Sequence, residues 1–230
     1  MTSDSTSPAS PTPTSNLASP TPTSNLASPT GPSDPASLFE LRSAPTSQLA
    51  DQAAAIADAC HAMAVRFHRG GKLIVFGTGG AAADAQHVAV EFVHPVIVGK
   101  RALPAISLTT DVATITGVAE QDGMAGIFAH QLRYLSAPED IALGISADGD
   151  NDSVRAGLAV AAGRGLLTVA LAGGDGGAIA RDKAADYVLT APATDPRIVK
   201  ELQVTTYHVL WELVHVFFEQ PGVLDPEVIT

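Results

Sequence analysis

The chain is short of cysteine, of basic residues and of long apolar runs, and each shortage excludes a class of protein. Its single cysteine, Cys60, cannot form a disulfide within the chain, which favours a reducing compartment. Its 13 lysines and arginines stand against 24 acidic residues, so the net charge is −11. A nucleic-acid-binding domain needs a basic stripe that this sequence lacks, and we expect neither nucleic acid nor a charged membrane surface as partner.

The sequence also lacks the signals of membrane insertion and secretion. No apolar run reaches the roughly 18 residues that span a bilayer, and no basic region followed by an apolar stretch opens the chain. We therefore expect a cytoplasmic protein, by default. Apolar residues nevertheless make up 46% of the 230 residues, which is enough for a sizeable core.

The first 36 residues differ in composition from the rest, because Ser, Pro, Thr and Ala dominate them. A nine-residue unit, SPTPTSNLA, occurs at 10–18 and again at 19–27. Such a stretch has too few apolar side chains to offset an ordering entropy of roughly 1–2 kcal/mol per residue. We predict a disordered tail over 1–36 and one domain over 37–230. A docking or modification segment is the alternative to a plain low-complexity extension.

Short apolar runs and helical patterns alternate along the predicted domain. The runs predict strands at 72–76, 104–108, 141–145, 166–171 and 187–190. Helical patterns fall at 47–69, 82–92, 112–119, 125–135, 153–163, 177–183 and 195–219. Strands that are apolar on both faces indicate a parallel sheet covered by helices. The sequence therefore predicts an α/β fold, a three-layer α/β/α sandwich with a five-stranded parallel sheet of flavodoxin-like or Rossmann-like type.

Two loops at the carboxyl ends of predicted strands could bind a ligand. The first, Gly77-Thr78-Gly79-Gly80, lets backbone approach a ligand and leads into a helix whose free amides attract anions. A tight connection would explain it equally well. The second, at 144–153, has the same placement but carries three aspartates. A helix cap accounts for one of these acids more easily than for all three.

Ionisable side chains share a face of the helix that follows the first loop. His87 and Glu91 are four residues apart, a spacing that suits a metal site or a proton-transfer pair. The closing helix adds His208, which we expect to face them across a cleft. A surface pair is the alternative for His87 and Glu91, and helix packing is the simpler interpretation for His215.

Several segments, in this order, resemble the sugar isomerase (SIS) domain family. Residues 77–87 are similar to the signature Gly-Asn-Gly-Gly-Ser followed by Asp-Ala-x-His, with Glu91 four residues later. The strand that leads to Asp111, the loop at 144–149, the segment 173–180 and the helix that carries His208 complete the match. The resemblance covers about residues 47–220 and points to the sedoheptulose-7-phosphate isomerase branch.

The resemblance implies a phosphosugar-binding isomerase that interconverts sedoheptulose 7-phosphate and glycero-manno-heptose 7-phosphate through an enediol. Glu91 would move a proton between C1 and C2, and His208 would be the second acid/base. It also implies zinc held by His87, Glu91 and His208, no organic cofactor, and a homotetramer with sites at subunit interfaces. The substrate-binding residues that it implies are Gly77, Thr78, Gly79, Gly80, Asp111, Ser146, Asp148 and Lys200.

The departures from the family cluster where a phosphate would bind. Ala81 replaces a serine, and Asp148 falls where a phosphate-binding serine is expected. A carboxylate about 4 Å from a phosphate costs on the order of 4 kcal/mol at an effective dielectric of about 20. The family's glutamine ligand of zinc falls on Lys200 when the segments are aligned on His208 and on Val199 when they are aligned on 197–198, and Glu201 or Gln203 could substitute for it. Three hypotheses stay open: a sugar-phosphate isomerase that binds phosphate by another route, an isomerase-like enzyme for a ligand without phosphate, and a non-catalytic oligomeric binding or regulatory module.

Overall fold

The computed structural model describes residues 34–220 and 222–224, and its centre is one parallel sheet. The strands are β1 (Leu73–Gly77), β2 (Ala105–Ser107), β3 (Ile141–Ser146), β4 (Leu167–Gly173) and β5 (Tyr187–Ala191). They are hydrogen-bonded in the order β2-β1-β3-β4-β5, and every pair is parallel. The predicted five-stranded parallel sheet is therefore confirmed.

Eight α-helices surround the sheet in the described part of the chain. They are α1 (Pro35–Gln48), α2 (Ala53–His68), α3 (Gly80–Val93), α4 (Val112–Asp122), α5 (Ile127–Leu135), α6 (Asp152–Gly163), α7 (Gly177–Arg181) and α8 (Pro196–Glu219). Short 3-10 turns lie at Leu49–Gln52 and Met124–Gly126. Within the described residues, none of these helices combines the length and the apolar character needed to cross a membrane.

Each face of the sheet packs against its own group of helices. Alternate strand residues point to opposite faces, so Leu73 and Val75 join one core while Ile74 and Phe76 join the other. The first core includes side chains of α2, α3 and α8, and the second includes side chains of α4 to α7. Burial on both faces explains why the strands are continuous apolar runs, and it confirms the three-layer α/β/α architecture.

The first helix is the main element that the sequence did not predict. Helix α1 has no buried residue and contains Pro45, so it carries no apolar stripe that periodicity could detect. It begins at Pro35 after the cap Asp34, so 35 and 36 are helical although we predicted them in the tail. Residues 1–33 of the predicted tail, with both nine-residue repeats, lie outside the described residues. An ion pair of 2.6 Å between Arg42 Nε and Glu201 Oε2 joins α1 to α8.

Two loops at the carboxyl edge of the sheet are packed backbone against backbone. Gly149, between β3 and α6, has a φ of +78°, and a Cβ there would lie 2.0 Å from the carbonyl oxygen of Gly176. The amide of Ala178 donates to Asp150 Oδ1 across the same contact at 2.7 Å. The loop after β3 is therefore held rigidly beside the loop after β4.

Candidate active site between two helices and two loops

The packing of α8 along α3 brings three ionisable side chains together. His87 and Glu91 lie on α3 and His208 on α8, and one potential ligand atom from each lies within 4.8 Å of the others. The indole nitrogen of Trp211 donates to the carbonyl oxygen of Glu91 at 2.8 Å, which sets the register of the two helices. The structure thus places His208 beside the His87–Glu91 pair.

Hydrogen bonds on both ring nitrogens orient His87. Its Nε2 lies 3.1 Å from Glu91 Oε1, and its Nδ1 lies 2.9 Å from the hydroxyl oxygen of Tyr207. An ionised carboxylate can only accept, so in the neutral imidazole Nε2 carries the proton and Nδ1 accepts from the Tyr207 hydroxyl. Tyr207 is 2% exposed and therefore holds the ring in a fixed orientation.

Tyr207 keeps its proton because its surroundings disfavour the phenolate. Burial, followed by the negative charges of Asp84 and Glu91, raises the pKa of Tyr207 to about 12. The hydroxyl group is therefore a constant hydrogen-bond donor at any physiological pH. It fixes the tautomer of His87 while the Glu91 side chain, 10% exposed, lies mostly out of water.

Lys200, which we predicted as a substrate-binding residue, is held by two groups of α3. Its Nζ lies 2.6 Å from Asp84 Oδ2 and donates to the carbonyl oxygen of Gly80 at 3.1 Å. The two predicted substitutes for a fourth ligand are also engaged, since Glu201 pairs with Arg42. Gln203 is buried and donates to the carbonyl oxygens of Ser146 and Leu171, at 2.8 and 3.3 Å, so both side chains have other partners in the structure.

The glycine loop after β1 borders a small cavity. A cavity of about 160 Å³ is lined by Gly77, Thr78, Gly79, Thr109 and residues of α4 and α5. Gly79 has a φ of +59°, which glycine adopts without strain. Gly80 follows as the first residue of α3, below the ammonium group of Lys200. The four predicted residues of this loop thus lie together at the start of α3.

Asp111 caps the helix that it precedes. Its Oδ1 accepts from the Thr114 amide at 3.0 Å and its Oδ2 from the Thr114 hydroxyl at 2.6 Å. These bonds, the one from the hydroxyl first, hold the pKa of Asp111 below its usual range. Both carboxylate oxygens therefore already have a local donor, and the structure shows a cap where we predicted a ligand contact.

The aspartates of the acidic loop after β3 do not cap the helix that follows. Asn151, not an aspartate, caps α6, because its Oδ1 accepts from the Val154 amide at 3.1 Å. Its side-chain nitrogen donates to Thr78 Oγ1 at 2.8 Å and so ties this loop to the glycine loop. Asp148 Oδ1 accepts from the Ser146 hydroxyl at 3.1 Å. The interpretation of Asp150 or Asp152 as the α6 cap is therefore wrong.

His215 and Cys60, the two remaining candidate functional residues, have packing roles. His215 is 2% exposed, and its ring nitrogens lie 2.8 and 2.9 Å from the carbonyl oxygens of Trp211 and Arg101. Burial raises the pKa of the Cys60 thiol to about 12, so the thiolate that a reactive cysteine needs does not form. Both side chains belong to the core between α2, α3 and α8.

Comparisons with known proteins identify relatives in both sequence and fold. Residues 40–173 match the SIS domain family model. The chain is 38% identical over 177 residues to a phosphoheptose isomerase of Solidesulfovibrio magneticus, covering 76% of this chain and 85% of the relative. The corresponding protein of Pelobacter propionicus is 39% identical over 179 residues, 77% and 90% of the two chains. The solved structure of a phosphoheptose isomerase from Francisella tularensis superposes with a TM-score of 0.73 at 31% identity, covering 79% and 96%.

Replacing Tyr207 by phenylalanine removes the donor to His87 Nδ1 and little else. We expect Y207F to lower the free energy of unfolding by about 1 kcal/mol. We also expect the nitrogen NMR signal of His87 Nδ1 to shift, because Nδ1 loses its hydrogen-bond donor, while the Nε2–H bond to Glu91 keeps the tautomer. Y134F, at a tyrosine that is 76% exposed, is the matched control and should change neither quantity. An unchanged His87 Nδ1 signal in Y207F would contradict the hydrogen bond from the Tyr207 hydroxyl to His87.

Proposed function

The chain belongs to the SIS domain family and is related to its phosphoheptose isomerases, and from this premise we propose that it is an aldose–ketose isomerase. The observation that carries the proposal is the meeting of Glu91, His87 and His208 between α3 and α8. Sedoheptulose 7-phosphate and glycero-manno-heptose 7-phosphate are the reference substrate pair, because the relatives are named for a phosphoheptose.

The proposed reaction moves two protons and needs no redox partner. Glu91 takes a proton from C1 of the ketose, and the electrons of that bond form the C1–C2 double bond of an enediol as O2 gains a proton. Glu91 then returns its proton to C2 while O1 loses its own, which leaves an aldehyde at C1. His208 carries the proton between O1 and O2, as a base in one half and an acid in the other.

The surroundings of Glu91 suit this role. His87 donates to Oε1, so we assign proton transfer to the second carboxylate oxygen. The Trp211 bond to the Glu91 carbonyl fixes the backbone, and the Tyr207 bond fixes His87, so the carboxylate is held in place before the substrate arrives. Its partial burial limits the exchange of the transferred proton with water.

We propose the same three side chains as a zinc site. Two imidazoles and one carboxylate are a donor set found in catalytic zinc sites, and their ligand atoms lie close enough to converge on one ion. A bound zinc ion would supply Lewis-acid polarisation of the substrate oxygens. If Nε2 of His87 bound the ion, the ring proton would have to sit on Nδ1, and the Tyr207 hydroxyl would then accept from Nδ1.

Our proposal includes a homotetramer, supported by exposed apolar side chains at the ends of two helices. Phe39 of α1 is 73% exposed, and Val96 and Val98, after α3, are 70% and 101% exposed. Val96, Ile97 and Val98 are consecutive, and an exposed apolar stretch of this kind is typical of surfaces that pack against another subunit. We also propose a cytoplasmic location, which the free thiol of Cys60 supports.

The isomerase proposal is tested by replacing the two acid/base residues. With sedoheptulose 7-phosphate and sedoheptulose as substrates, we expect E91Q and H208A to lower kcat by at least roughly a hundredfold. Thermal unfolding should stay close to that of the native chain. E212Q, at an exposed acid on the same helix, is the control and should keep full activity. Full activity in both E91Q and H208A would refute the assignment, and a native chain inactive on both sugars would favour the non-catalytic module.

The zinc proposal predicts a pH-dependent affinity. In titration calorimetry, zinc should bind with one ion per chain and more tightly at pH 8 than at pH 6, because the imidazoles must be unprotonated. H208A should weaken binding by at least roughly tenfold, whereas H130A, on α5, should not. Equal zinc affinity in native and H208A chains would rule out this site.

The tetramer proposal predicts a mass of four chains in sedimentation equilibrium. Replacing the fully exposed Val98 by Asp should shift the equilibrium to smaller species, because a charge would be buried at the interface. K183D, at an exposed lysine outside the apolar group, is the control. A monomeric native chain at micromolar concentration would contradict the proposal.

A further inference from the structure

The ion pair between Lys200 and Asp84 is a charged contact beside the candidate active site that the proposed reaction does not use. Asp84 lies on α3 and its side chain is 8% exposed, whereas the side chain of Lys200, on α8, is 47% exposed. Taking a carboxylate out of water is costly, and a pair of this kind is weak evidence of a contribution to stability. The pair is therefore a candidate for a role in ligand binding.

The ammonium group of Lys200 is held at two points and keeps one donor. Its Nζ lies 2.6 Å from Asp84 Oδ2 and donates to the carbonyl oxygen of Gly80 at 3.1 Å. An ammonium group has three N–H donors, so one is left for a third acceptor. Because Asp84 is buried and Lys200 is half exposed, an anion that approaches from solvent meets the cation before it meets the carboxylate.

Lys200 lines a groove on the surface of α8. The groove has a volume of about 440 Å³ and is lined by four residues of that helix, Arg197, Lys200, Glu201 and Val204. The other two charged side chains pair with neighbours at the surface, Glu201 with Arg42 and Arg197 with Asp195. Lys200 is therefore the cation of this groove whose counter-ion is buried.

Both helices connect this groove to the acid/base cluster. Residues one turn apart share a helix face, so Val204, in the groove, is followed on the same face of α8 by His208. On α3, Asp84 precedes His87 by one turn in the same way. Burial, and then the charge of Asp84, raise the pKa of Tyr207, whose hydroxyl group contacts His87. The Lys200–Asp84 pair therefore lies at the end of the cluster that is nearest the start of α3.

The length of helix between Lys200 and the acid/base residues separates it from the reacting carbons. On α8, the interval from Lys200 to His208 corresponds to about 12 Å of helix. On α3, the interval from Asp84 to Glu91 corresponds to about 10 Å. With C1 and C2 between Glu91 and His208, a group at Lys200 belongs to the other end of an extended sugar. In a phosphosugar that end is a dianion, and lysine binds phosphate as a point charge.

We propose that Lys200 is a specificity-determining residue that binds the phosphate group of the substrate, at the opposite end from the acid/base residues. The inference rests on the proposed isomerase function and adds the contact that selects a phosphorylated sugar over a free one. Asp84 and the Gly80 carbonyl hold the ammonium group in place before the phosphate arrives, which reduces the entropy lost on binding. Phosphate thus binds by a route other than the loop after β3, where Asp148 already accepts from the Ser146 hydroxyl.

The test compares the binding of sedoheptulose 7-phosphate and sedoheptulose, by titration calorimetry, in an E91Q background that prevents turnover. K200Q should weaken the binding of sedoheptulose 7-phosphate by roughly tenfold or more, because a charge-assisted contact is lost. It should leave the affinity for sedoheptulose within about threefold, which also shows that the variant is folded. K200R retains a cation that binds phosphate and should keep the preference for the phosphorylated sugar.

Two further variants separate the phosphate contact from the loss of the ion pair itself. The double variant D84N/K200Q removes both charges, so no buried acid is left without a cation, and it should show the same selective loss. K183Q, at an exposed lysine after α7, is the matched control and should leave the ratio of the two affinities unchanged.

The inference is overturned if K200Q weakens the binding of both sugars equally or leaves the ratio of their affinities unchanged. It is also overturned if D84N/K200Q restores phosphate binding, or if the chain with Lys200 intact does not bind sedoheptulose 7-phosphate. Failure of the isomerase function would appear separately, as phosphate binding that depends on Lys200 in a chain that, with Glu91 present, turns over neither sugar.

Discussion

The contact between α3 and α8 is the interaction on which the candidate active site depends. A helix leaves its last four carbonyl groups without intrahelical partners, and Glu91 lies in the last turn of α3. The Trp211 indole satisfies the Glu91 carbonyl, so the same hydrogen bond that completes one helix fixes the position of the other. Tyr207, one turn earlier on α8, then meets His87, and His208 follows at the next position. The acid/base geometry is thus a consequence of how α3 ends.

Much of the fold could be predicted from the sequence because both faces of the parallel sheet are buried. Burial makes each strand an apolar run, and the helices between them carry 3.6-residue periodicity. Helix α1 was not predicted because none of its side chains is buried. The spacing of His87 and Glu91 on one helix could likewise be read from the sequence. By contrast, the partners Tyr207 and His87 are 120 residues apart, and Lys200 and Asp84 are 116 apart, so only the packed structure could pair them.

In the acidic loop after β3, composition alone led to the wrong helix cap. Three aspartates near a helix start suggested a cap among them, but the cap is Asn151, and Asp150 instead reaches the amide of Ala178 in the next helix. The choice depends on the close backbone contact between Gly149 and Gly176, which turns Asp150 away from α6. Such a contact joins two loops that are distant in sequence, and no local pattern encodes it.

The acid/base cluster and the acidic loop are built on different elements and can therefore change independently. The proposed acid/base residues lie on α3 and α8, whereas the acidic loop follows β3. Gln203 connects them structurally, because its side chain reaches from α8 to the Ser146 carbonyl, but it carries no charge. Within the loop, Asp150 and Asp152 have arginine partners at the surface, where ion pairs contribute little to stability. Asp148 differs from both, because its carboxylate accepts from within its own loop, at the Ser146 hydroxyl and the Asp150 amide.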